Sequence, residues 1–284
     1  MQIDTALQAL EFLKSAGAAG DVEQNLLLCA LAFSKVLNPD IEVRQSLAKV
    51  EEIANSLRKH PQIKTDTVSD LELEKRQAVL AETIGVEYGY IGALSDYHDP
   101  ENAEIHKVLE RKKGLPVALG IIYIHLAREM DWDARGLNFP GHFLLTLESG
   151  ERKIYIDPFS AGRAVGAADM REILKALAGQ QAELSHDYYR PISDKNILIR
   201  LQNNLKSALI DQENYERALA VTDAMRVFDP DEYRLLFDAS ILKVKAGQFQ
   251  AARQDALAYI DAAPSAKERM SGEQLLYEIE RALN

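Results

Sequence analysis

The segments "NYERALAVTDAMRVFDP" and "QFQAARQDALAYIDAAP" align at a constant offset of 34 residues, which sets Tyr215 over Phe249, Ala218 over Ala252 and Pro230 over Pro264. That period fits two antiparallel helices per repeat, with an aromatic ring beside a small residue where the helices approach. One such pair cannot bury its apolar face alone, so the pairs must stack. The segment "SGEQLLYEIERALN" then predicts a closing helix that caps the stack. The alternative is a set of unrelated helical hairpins of equal length.

Helices are also expected over the first hundred residues. "DTALQALEFLKSA" places Ala6, Leu7 and Leu10 at helical spacing behind Asp4 as N-cap, and Gly17 and Gly20 end the pattern. Asp21 would cap a second helix that stops at Asn38-Pro39, and a third runs from Ile41 to Pro61. A fourth is expected from Asp66 to Ile84.

The texture changes in the middle of the chain. "LPVALGIIYIHLAREMDW" reads as an apolar helix with Pro116 at its first position, followed by the strand-like "ARGLNF" and by "GHFLLTLESGERKIYIDPF", which reads as a β-hairpin. One helix feeding three short strands predicts an α+β unit with a small antiparallel sheet. If Ser149-Gly150 is the hairpin turn, Glu148 pairs with Glu151 and His142 lies directly opposite Asp157. A turn displaced by one residue on each limb would leave the two diagonal and still within reach. Phe143, Leu145, Leu147, Ile154 and Ile156 share the apolar face; His142, Leu144, Tyr155 and Asp157 share the mixed one.

An imidazole beside a carboxylate can be held in one tautomer and stabilised when protonated, as in a hydrolase triad; the alternative is a structural hydrogen bond at a sheet margin. No nucleophile declares itself. Cys29 is the one cysteine, in the uniformly apolar "NLLLCALAF", where a core role competes with a catalytic one. Ser160 follows Asp157 in a loop with no adjacent base implied.

Composition removes several function classes. A formal charge of -11 and a pI near 5.1 argue against general affinity for nucleic acid or anionic membranes. No apolar run is long enough to span a bilayer, the N-terminus does not read as a secretory signal, and a lone cysteine fits a reducing, cytoplasmic compartment. The six histidines are too dispersed for a metal site, and no glycine loop suggests a nucleotide, so no cofactor is expected. "LERKKGL" reads as a solvated helix end, Asp99-Pro100 and Asn102 as a capping turn, and Tyr88, Tyr90 and Tyr97 as packing or pocket-lining rings.

"DYHDPENAEIHKVLERKKGLPVALGIIYIHLARE", "NFPGHFLLTL" and "YIDPFSAGR", in this order and ahead of the 34-residue repeats, resemble the SirB-type family, a transglutaminase-like domain joined to tetratricopeptide repeats. The resemblance covers about Leu71 to Pro264. It implies a mostly helical α+β fold: a transglutaminase-like (papain-like) core with a small antiparallel sheet, and an α-helical repeat tail. The expected divisions are 1–65 for an N-terminal helical region, 66–190 for the transglutaminase-like domain and 191–284 for the tail. In the wider superfamily a cysteine begins the central helix, and a histidine and an acid come from the following strands. By that resemblance His142 and Asp157 match the histidine and the acid, and Pro116 stands at the nucleophile position.

Two functions follow as expectations. The first is a non-catalytic binding or scaffold protein, a pseudoenzyme that keeps His142 and Asp157 as a structural or recognition pair and meets a protein or peptide partner through its tail. The second is a cysteine-independent hydrolase or transferase of amide bonds, with His142 as base. The oligomeric state is open.

Overall fold

The computed structural model describes residues 3–20, 22–63 and 72–283. Helix α1 (Ala6–Ala18) begins one residue later than the sequence pattern suggests: Thr5, not Asp4, is the N-cap, and its hydroxyl accepts from the Gln8 N–H at 3.2 Å while Gln8 Oε1 accepts from the Thr5 N–H at 3.1 Å. This reciprocal pair satisfies two otherwise orphaned donors. Gly17 does not break the helix. It is buried within it, and a Cβ there would lie 1.7 Å from the carbonyl oxygen of Phe228, so glycine lets α1 touch the end of the helix Tyr215–Phe228.

Helix α2 (Leu26–Leu37) is capped by Asn25, which accepts from the Leu28 N–H; the expected cap Asp21 lies outside the described residues. Helix α3 (Val43–Lys59) follows as expected. The fourth helix was expected to begin at Asp66, also outside the described residues. Its described part, α4 (Leu73–Leu80), runs past Ile84 as a wider π-helical turn to Glu87.

Beyond it, β1 (Ile91–Gly92) pairs in parallel with β2 (Lys113–Gly114), with α5 (Ile105–Arg111) between them. Helix α6 (Pro116–Arg128) has Pro116 in its first turn and buries all of its residues but His125 and Arg128. A helix apolar on every side must be wrapped on every side. Helices α2, α3, α5 and the sheet supply that wrapping.

The sheet has four strands, not three. Its order is β3 (Asp133–Gly136), β4 (Leu145–Ser149), β5 (Arg152–Asp157) and β6 (Arg163–Val165), all antiparallel. "RAV" is too short and too close to Gly162 and Gly166 to show strand periodicity on its own. The hairpin turn is also corrected: Ser149 pairs with Arg152, so Gly150 and Glu151 form the loop, with Gly150 at φ 59° where a two-residue hairpin favours glycine. The register therefore moves by one residue on each limb, and the parity of each side chain is kept. Leu145, Leu147 and Ile156 enter the main core; Leu144 joins Leu137, Phe139, Val165, Met170 and Leu174 in a smaller core under α7 (Ala167–Ala178).

The tail consists of α8 (Asp194–Asp211), α9 (Tyr215–Phe228), α10 (Arg234–Lys245), α11 (Phe249–Ala262) and the closing α12 (Ala266–Leu283). Tyr215 and Phe249 begin equivalent helices, and Ala218 and Ala252 are fully buried, as the 34-residue period requires. The main core runs without interruption from Ile3 through α6 to Leu242, so the first tail hairpin is built into the body of the protein. Among the described residues no helix is long and apolar enough to cross a membrane.

Candidate functional site

His142 and Asp157 meet. Asp157 ends β5, His142 stands just before β4, and the imidazole Nε2 lies 2.9 Å from Asp157 Oδ1. The contact is the diagonal one, because the corrected register leaves Asp157 two residues short of the position directly opposite His142.

The carboxylate is fully engaged. Its Oδ1 also accepts from the Phe159 N–H at 2.9 Å, and its Oδ2 accepts from the Ser160 hydroxyl at 2.8 Å. Burial opposes its charge, but the hydrogen bonds from His142, Ser160 and the Phe159 amide outweigh burial and hold the carboxyl below the usual range. Ser160 thus serves the acid and makes no hydrogen bond to the imidazole. The remaining ring nitrogen, His142 Nδ1, has no hydrogen-bond partner among the described residues.

The central helix lies against this pair. A Cβ on Gly120 would fall 2.2 Å from the ring of Phe143, the neighbour of His142, and the Tyr123 hydroxyl would meet a Cβ on Gly162 at 2.8 Å. Pro116 lies one turn before Gly120 on the same helix face. The Tyr123 hydroxyl is buried without a hydrogen-bond partner among the described residues, and burial, aided by the Asp157 charge, pushes its pKa up. Histidine and aspartate therefore come together, and Pro116 opens the helix whose Gly120 and Tyr123 pack beside them.

Cys29 is elsewhere. It is 1% exposed on α2, its Sγ lies 3.5 Å from Gln24 Oε1, and burial, reinforced by Asp194, pushes the thiol up to about 12. A thiol so placed is protonated at neutral pH and inert.

Two neighbours of the dyad escaped the sequence reading. Phe159 packs edge-on against His142 and against Tyr97, with ring centres 5.9 Å apart in each case. Arg200, from α8, donates through Nη2 to the carbonyl oxygens of His142 at 2.6 Å and Phe139 at 3.1 Å. No local pattern marks an arginine in this helix as a support for a loop 58 residues away.

Other expectations divide. Asp99 caps the short helix Pro100–Asn102 by accepting from the Glu101 N–H. The solvated reading of "LERKKGL" fails at Arg111, which ties Asp96, Asp99 and Glu101 to the end of α5 at 2.7 to 2.8 Å. Tyr90 is buried and donates to the Leu109 carbonyl, whereas Tyr97 is 39% exposed and lines a cavity.

A model of the transglutaminase-like superfamily matches residues 44–203 and a tetratricopeptide-repeat model matches residues 205–276. These matches define the class: a transglutaminase-like domain carrying a helical repeat tail. The chain belongs to the SirB-type family within the transglutaminase-like superfamily. A UPF0162 protein of Vibrio cholerae is 30% identical over 83% of this chain and 85% of its own length. Protein SirB1 of Salmonella typhimurium is 29% identical over 57% of this chain and 59% of its own length. F-box only protein 21 of Mus musculus is 27% identical over 76% of this chain, which corresponds to 38% of that longer protein.

Proposed function

We propose that the chain is a non-catalytic protein-binding or scaffold protein whose transglutaminase-like site is degenerate. The observation that carries this reading is Pro116 at the start of α6: proline has neither a nucleophilic side chain nor an N–H to donate. Ser160 is taken up by Asp157, and Cys29 is buried and protonated, which supports the same reading. The repeat tail offers the surface for a protein or peptide partner, since stacked helical hairpins present extended grooves. The units are an N-terminal helical region (1–65), a transglutaminase-like domain (66–190) and a repeat tail (191–284). A cytoplasmic location fits the single free thiol.

A second reading is favoured by one observation: the dyad is well formed and His142 Nδ1 is unused. An enzyme acting on amide bonds would employ that nitrogen as base toward an activated water. Incubation with peptide amides, followed by mass spectrometry, separates the two. The scaffold reading expects no turnover from the parent protein. Turnover by the parent protein that is lost in a His142→Ala variant still folded would sink it.

A further inference from the structure

Arg200 is half-buried, yet among the described residues no carboxylate lies within ion-pair distance of it, in a chain with 44 acidic and 33 basic residues. The ionisable group that acts on it is the Tyr97 phenol, uncharged at neutral pH. Two carbonyls and the face of the Phe143 ring, 5.7 Å from the guanidinium carbon, hold it in place. A guanidinium partly removed from water without a counter-anion is a ready site for one.

A cavity of about 200 Å³ begins one helical turn further along α8, lined by Tyr97, His98, Leu115, Asn204, Ser207 and Asp211 among others but not by Arg200 itself. Arg200, Asn204, Ser207 and Asp211 follow helical spacing on α8 and share one face. Tyr97 joins this cavity to the dyad, because its ring packs on Phe159 and Phe159 packs on His142. Arg200 and Asp211 are separated by about 16 Å along the helix axis. An extended peptide of about five residues spans that length.

We propose that this seam binds the C-terminal end of a peptide, with its carboxylate on Arg200 beside the free nitrogen of His142 and its preceding residues along α8 toward Asp211. The charges set the direction: the guanidinium takes the carboxylate, and the Asp211 carboxylate favours an amino or lysyl group at the other end. The cavity admits about one side chain, packed between Tyr97 and Leu115. The proposal rests on the non-catalytic reading of the dyad, since a bound carboxylate occupies the place where an amide would react.

The test is calorimetric titration of the whole protein with three probes: Lys-Ala-Ala-Leu-Leu with a free carboxylate, the same peptide as its C-terminal amide, and Lys-Ala-Ala-Leu-Glu as its C-terminal amide. The free carboxylate should bind at least about tenfold more tightly than either amide. Equal affinity for the first two probes overturns the proposal, and tight binding of the glutamyl amide overturns the C-terminal assignment. Arg200→Gln should abolish the preference for carboxylate, and Arg200→Lys should keep part of it. Because Arg200→Gln also loosens the His142 loop, Asn204→Leu serves as the second variant: it obstructs the cavity with Arg200 intact and should weaken all three probes together. Unchanged binding in both Arg200→Gln and Asn204→Leu overturns the seam. Release of ammonia from the amide would defeat the non-catalytic reading without touching the carboxylate preference; equal affinity without turnover would defeat the seam alone.

Discussion

His142 and His106 each lie beside a buried carboxylate, and the two pairs are built in opposite ways. Asp157 keeps its hydrogen bonds within one loop: His142, Phe159 and Ser160 are all within 15 residues of it. Glu104 gives its oxygens to distant elements instead, accepting from Asn38 after α2 and from Arg217 of α9, each at 2.8 Å. His106 Nδ1 is left 3.9 Å from Glu104, buried and without a hydrogen-bond partner among the described residues. Proximity of histidine and acid therefore does not make a dyad. What decides is which donors already occupy the carboxylate, and Glu104 fastens the tail to the body where Asp157 orients an imidazole.

The largest expected effect is at the dyad's acid. Asp157→Ala leaves the Phe159 N–H, the Ser160 hydroxyl and the imidazole without their acceptor, and should cost about 3 kcal/mol in urea unfolding. Glu104→Ala should cost less, about 2 kcal/mol, because the Arg217 side chain is 39% exposed and can return to water. A larger loss at Glu104 than at Asp157 would reverse the comparison.

The histidines should separate further. His142→Ala should cost about 1 kcal/mol, the value of one hydrogen bond, and His106→Leu should stay within about 0.5 kcal/mol of the parent, since it removes a buried polar atom that has no partner. A His106→Leu loss equal to that of His142→Ala would show that the 3.9 Å contact matters.

Smaller and sharper is the pH dependence. Burial lowers the His106 pKa from 6.5, so the folded protein favours the neutral ring; that contribution is present above 6.5 and is lost as pH falls below it toward the folded value. Burial lowers His125 in the same sense. Stability should thus decline from pH 7 to pH 5, and His106→Leu should reduce the slope while leaving the His125 part. The Asp157 carboxyl is held below 3.8, so its contribution is present above that value and lost as pH falls through the lower folded pKa. Asp157→Asn should flatten the acid limb below pH 4 and leave the limb between pH 5 and 7 unchanged.

Much of this molecule was legible in its residues because the signals are local. The 34-residue period announced the tail helices, apolar alternation assigned each hairpin side chain to its face, and Pro116 marked the start of α6. The failures were local competitions that pattern alone does not decide. Thr5 displaced Asp4 as cap because only Thr5 has Gln8 at the reciprocal spacing. Gly150 moved the turn by one residue because its positive φ fits the first loop position.

The sequence by itself determined the helical repeat, the sheet's two faces and the meeting of His142 with Asp157, since each depends on spacing along a few turns or one hairpin. Only the tertiary structure decided that Arg200 of α8 holds the His142 loop, that Gly17 lets α1 meet Phe228, and that Glu104 joins three distant elements. Those contacts bridge from 58 to more than 200 residues of chain, and no periodicity survives across such distances. They are set by close packing and by the need of each buried polar group for a partner.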